Sequence, residues 1–188
     1  MQSSSADHNQ EPEATSSAKE IQEIVFPVSV NWVDAMQFVA NDERNHSIVL
    51  DANPELGGNQ SGPTPGKLLL MAVAGCTAMD VISILKKSRQ KVTGLTVKTR
   101  GIQNEVHPQY YKEIYLRYIV KGKDLERSRV ERAIQLSEEK YCVVSQTVNG
   151  KAKIFVEYQI VEDDDTEPQK QLGFSTITLH QTSNGIPP

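Results

Sequence analysis

The chain has 188 residues, sets 20 Lys and Arg against 24 Asp and Glu for a formal charge of -4, and holds two cysteines, Cys76 and Cys142. This length suits one domain with a core of its own and is too short for two. The mild, interspersed charge gives no basic field for nucleic acid, and two cysteines are too few to staple a secreted scaffold, so reduced thiols in a cytoplasmic protein are expected.

The opening stretch, "MQSSSADHNQEPEATSSAKE", has no apolar segment of the kind a secretory signal needs. Residues 1–22 are polar and poor in large side chains, so a disordered N-terminal tail is expected, followed by a folded domain over 23–162. Three short β-prone runs come next, "EIVFPVSV" (23–30), "WVDAMQFVA" (32–40) and "HSIVLDA" (46–52), separated by turn-like residues as in a meander. The Gly/Pro-rich loop "NPELGGNQSGPTP" then leads to a helix whose N-cap is Thr64 and whose first residue is Pro65, where the missing N–H costs nothing.

From Leu68 to Leu85 apolar and small residues lie all round that helix, the pattern of an element enclosed on every side. The run is interrupted by Gly75, Thr77 and Asp80 and barely reaches the length of a bilayer span, so no membrane association is expected. Two longer runs, "VTGLTVKTRGIQNEV" and "YKEIYLRYIVKG", read as an antiparallel pair. The second keeps one face with Ile114, Leu116, Tyr118 and Val120, whereas Val92, Leu95 and Val97 alternate more loosely.

Asp124 is placed to cap a second helix in which Val130, Ala133, Ile134 and Tyr141 fall at helical spacing, and "KAKIFVEYQIVE" (151–162) is a further strand. The order βββ-α-ββ-α-β predicts an α+β fold with a mainly antiparallel sheet around a long central helix. Residues 163–188 read as a C-terminal tail, with a weakly β-like "FSTITL" that has no evident partner.

Two readings of Cys76 stand side by side: a small core residue, or a nucleophile if Cys142 lies near it in space. In the second case a thiolate attacks the O–O bond of a peroxide, becomes a sulfenic acid, and condenses with the second thiol. Cys76 is about eleven residues into its helix, too deep for help from the helix N-terminus. Arg44, His46 and His107 lie on other elements. Asp80, one turn after Cys76, is either a structural hydrogen-bonding group or a charge that opposes thiolate formation. Two cysteines and four scattered histidines show no ligand spacing, so no metal is expected.

Glu55-Leu56-Gly57-Gly58-Asn59, Gly62-Pro63-Thr64-Pro65, Leu68-Leu69-Leu70, Gly75-Cys76-Thr77, Met79-Asp80-Val81, Gly122-Lys123-Asp124-Leu125 and "SEEKYCVVS" around Cys142, together with the strand order, resemble the OsmC/Ohr family of thiol-dependent hydroperoxide-reducing proteins over about residues 24–162. The resemblance implies an intertwined homodimer whose sheets wrap two central helices, with the sites at the interface. It implies that Cys76 is the peroxidatic and Cys142 the resolving cysteine, acting without a cofactor on an organic hydroperoxide, with a dithiol reductant closing the cycle in oxidative stress defence. Organic hydroperoxide resistance members carry a Glu after the helix-opening Pro and an Arg in the early hairpin. Here Gly66 holds the first position, residues 28–40 have no Arg, and Lys67 stands where related helices place a capping-box Glu. Arg44 is the candidate left for electrostatic assistance. The alternative reading is a non-catalytic dimer of the same fold that binds an apolar small molecule or a partner.

Overall fold

The computed structural model describes residues 26–163 and 175–177. The segment 1–22, expected to be disordered, lies outside the described residues, as does most of the expected tail 163–188.

Strands β1 (Val28–Asp34), β2 (Gln37–Asp42) and β3 (Ser47–Leu50) form an antiparallel sheet in sequence order. The expected break at Asn31 is absent: β1 runs through it, pairing Asn31 with Val39, and the chain reverses at Ala35 and Met36. Ala35 adopts a φ of +45° there, and the Trp32 indole N–H donates to its carbonyl at 3.0 Å, tying the turn to the strand. Polar Asn31 is simply an ordinary position on an open sheet, since every residue of β1 is exposed.

Beyond β3 the loop to the central helix is organised by one carboxylate. Asp51 accepts from the Ala52, Asn59 and Ser61 amides and from the Ser61 hydroxyl, and those bonds hold it down to about pKa 2. Helix α1 (Pro65–Lys87) opens as the sequence predicts, with Pro65 first and the Thr64 hydroxyl accepting from the Lys67 amide at 3.3 Å. Within one chain only one stripe of α1 is buried, Val73, Thr77, Val81 and Leu85, spaced by four. Leu69, Met71 and Met79 remain exposed, Met79 to 77 %. With 23 residues α1 is, among the described residues, the one helix long and apolar enough to cross a bilayer.

Strands β4 (Lys91–Gln103), β5 (Tyr111–Lys123), β6 (Lys153–Glu162) and β7 (Ser175–Ile177) make the second sheet. β4 and β5 form the expected antiparallel pair, and the loose alternation of Val92, Leu95 and Val97 has a physical cause: the register slips between Val92 and Gly94. β5 and β6 run parallel, linked by the helical segment between them, while β7 pairs antiparallel with β6 and gives Ser175–Ile177 of the weakly β-like stretch a partner. Alternate residues of β5 face inward, so Ile114, Leu116, Tyr118 and Val120 pack with Val156, Tyr158 and Ile160 of β6 under the buried stripe of α1.

The second helical segment departs from expectation. Asp124 has a φ of +52° and does not cap; α2 (Arg127–Leu136) follows Glu126, which makes no side-chain cap bond. Val130, Ala133 and Ile134 are buried as predicted, but Tyr141 is half exposed, because a π-helical turn at Ser137–Tyr141 breaks the period. Cys142 then takes an extended backbone and starts the short helix α3 (Val143–Val148).

Candidate active site

The π-helical turn decides where Cys142 points. A continuous α-helix would have carried it past α1; with the extra residue, its amide donates to the Ser137 carbonyl at 2.9 Å and its side chain turns toward the middle of α1. Cys76 sits there half-buried, and Cys142 is fully buried. The two sulfurs and a carboxylate oxygen of Asp80 all lie within 4.8 Å of one another. Cys76 and Asp80, four residues apart on α1, share a face and so meet the same sulfur.

Cys142 Sγ accepts from the Ser145 amide at 3.3 Å. Burial, with the Cys76 thiol beside it, nonetheless pushes the Cys142 thiol up to about 11. Near neutral pH Cys142 is therefore a neutral thiol, and the more accessible Cys76 is the sulfur a reagent reaches first.

Behind the sulfurs lies a buried chain of oxygens. Ser137 Oγ donates to Asp80 Oδ2 at 3.1 Å and lies 2.8 Å from Thr77 Oγ1. Thr77 donates to Glu138 Oε1 at 2.7 Å, and the Tyr118 hydroxyl donates to the same oxygen at 2.6 Å. Burial and the Glu138 carboxyl raise the Tyr118 phenol well above its ordinary value, so it stays a donor. The second Glu138 oxygen is buried and has no hydrogen-bond partner among the described residues. Asp80 thus bonds a hydroxyl, as its structural reading expects.

Arg44 lies on the exposed turn between β2 and β3, where its amide donates to Asp42 Oδ1 at 2.9 Å; neither cysteine is among its contacts. His46 pairs with the same Asp42, and His107 precedes a cis proline in the loop between β4 and β5. Gly66 also acquires a reason. A Cβ there would stand 3.0 Å from the Tyr111 hydroxyl, so the phenol from β5 fills the space in which a side chain would begin. Sequence reasoning missed Thr77, Tyr118, Ser137 and Glu138 as parts of the site. A threonine inside an apolar helix and two acids just before Tyr141-Cys142 were the available signals.

A cysteine pair carried on two helical elements, backed by a four-stranded sheet and a buried hydroxyl chain, defines a two-thiol protein of α+β architecture. The chain belongs to the OsmC-like protein family, which it matches over residues 57–157. Protein YhfA of Escherichia coli K12 is 37% identical over 132 residues, covering 70% of this chain and 96% of that protein. A crystal structure from Aquifex aeolicus VF5 superposes with a TM-score of 0.67 at 27% identity, covering 76% of this chain and 100% of the other. An organic hydroperoxide resistance protein OsmC from Legionella pneumophila shares the fold, with a TM-score of 0.56 at 12% identity over 73% of this chain and 96% of that one.

Proposed function

We propose that the protein reduces organic hydroperoxides through Cys76 and Cys142. The observation that carries this reading is the approach of the two sulfurs, one half-buried and one buried, from separate helical elements. The Cys76 thiolate attacks the terminal peroxide oxygen, the O–O bond breaks, and the alkoxide takes up a proton to leave as the alcohol. Cys76 is then a sulfenic acid. Cys142 condenses with it, water leaves, and the resulting disulfide is reduced by two electrons from an external dithiol. Burial of Cys142 suits a resolving thiol, which reacts only once the sulfenic acid stands beside it.

The working form in this proposal is a cytoplasmic homodimer in which a second copy covers the open face of α1. Met71 and Met79 on that face, and Val28, Val30 and Trp32 on β1, are exposed large apolar side chains that a second copy would cover. In such a dimer Arg44, on the exposed turn between β2 and β3, is the candidate for electrostatic assistance.

Mixing the reduced, chelator-treated protein with cumene hydroperoxide and counting free thiols tests the reading. Both thiols should disappear together, Cys76→Ser should abolish the reaction, and Cys142→Ser should stop at a sulfenic acid. Two thiols that persist in excess peroxide refute it and leave the non-catalytic binding dimer.

A further inference from the structure

We propose that Cys76, Cys142 and Asp80 together form a binding site for a thiolate-seeking divalent cation of the zinc class. No spacing motif announces it, because the donors come from α1 and from the residue that opens α3 and meet only through the fold. The proposal stands on this geometry and does not depend on the peroxidase reading.

Three observations carry it. The two sulfurs and a carboxylate oxygen lie within 4.8 Å of one another. A zinc ion bound to sulfur at about 2.3 Å and to oxygen at about 2.0–2.2 Å holds its donors about 3.5–3.8 Å apart, so small side-chain adjustments close the site. The carboxylate is also held in place: Ser137 donates to Asp80 Oδ2, and Ser137 is itself against Thr77. Ligating carboxylates are oriented by hydrogen bonds of this kind. Finally, the Cys142 sulfur already serves as an acceptor for the Ser145 amide, the role a metal-bound thiolate plays toward a neighbouring N–H.

Charge makes the arrangement chemically coherent. An acid packed against two sulfurs opposes a free thiolate, yet the same three groups around a divalent cation balance each other to a net charge of about -1. Two thiols and one carboxylate are the donors of a borderline-soft metal rather than of magnesium or calcium, and three protein ligands leave a coordination position open. Binding transfers both thiol protons to solvent, so uptake releases about two protons per ion. A Cys76–Cys142 disulfide would have no thiolate to offer.

The test uses the reduced full-length chain, stripped with a chelator and titrated with cobalt(II) and then zinc. The expected result is one cobalt per chain with a near-ultraviolet thiolate-to-cobalt charge-transfer band that one equivalent of zinc removes. Cys142→Ser should halve that band, diamide oxidation should abolish it, and Asp80→Asn should weaken zinc binding tenfold or more. Ser137→Ala, which leaves all three donors present, should weaken it about tenfold and serves if Asp80→Asn fails to fold. Absence of the band, binding that survives oxidation, or zinc affinity unchanged in both Asp80→Asn and Ser137→Ala overturns the site.

Discussion

Replacing Thr77 with valine removes one hydroxyl from the centre of the molecule while keeping its shape. Thr77 is fully buried, and its oxygen lies 2.6 Å from the Tyr118 hydroxyl, 2.8 Å from Ser137 Oγ and 2.7 Å from Glu138 Oε1. Three contacts do not mean three bonds lost. Tyr118 sends its proton to Glu138 and Ser137 sends its own to Asp80, so Thr77 contributes one donated bond, to the carboxyl. A buried hydrogen bond to such a group contributes about 1.5–3 kcal/mol, so its loss costs about 2 kcal/mol. In a chain of 188 residues that lowers the melting temperature by about 4–8 °C. Urea unfolding followed by circular dichroism measures it, with Thr77→Ser as the control that keeps the hydroxyl. In a Glu138→Gln background the loss should shrink, because the two groups share the bond. A Thr77→Val loss below about 0.5 kcal/mol, or an equal loss in both backgrounds, would refute the assignment of Thr77 as a donor to Glu138.

Two predictions concern titration. In Cys76→Ser, where burial still opposes the thiolate but the neighbouring thiol is gone, alkylation of Cys142 should rise about tenfold per pH unit from 7 to beyond the ordinary 9.0, since only the thiolate reacts; a plateau below pH 9 contradicts the upward push of burial. The folded-state value lies above the ordinary 9.0, so the stability contributed by the neutral thiol is whole below pH 9 and is lost as pH climbs through about 11. Asp51 runs the other way: held at about 2 against an ordinary 3.8, it stabilises the fold fully above pH 4 and progressively less as pH falls through 2. Unfolding midpoints measured over that acid window should fall more steeply for the unaltered chain than for Asp51→Asn.

Local chemistry was easiest to read in the sequence. Thr64 and Pro65 mark the start of α1 because capping depends on neighbours in the chain, and β5 shows its inner face because alternation survives wherever one side is packed. The errors have one cause. Asn31 reads as a break because polar residues usually mark turns, whereas an exposed strand tolerates them. Asp124 reads as a cap by residue type, but its backbone lies in the left-handed region. The π-helical turn adds one residue to a helical period, so Tyr141 falls off the buried face and Cys142 swings toward α1. The two cysteines that the family resemblance singles out lie close together in the fold. The hydroxyl chain behind them joins α1, β5 and the turn after α2, a meeting that no local pattern records.

The Tyr111 ring stands over two glycines at once: a Cβ on Gly101 would come within 2.4 Å of it, and one on Gly66 within 3.0 Å of its hydroxyl. The three positions therefore form a single epistatic unit. A glutamate installed at position 66 meets an occupied space, so Gly66→Glu and Tyr111→Ala made together should cost less than the sum of the two made singly. Whether position 66 can take a carboxylate therefore turns on how far the Tyr111 ring gives way, so the packing of a strand bears on the chemistry at the opening of α1.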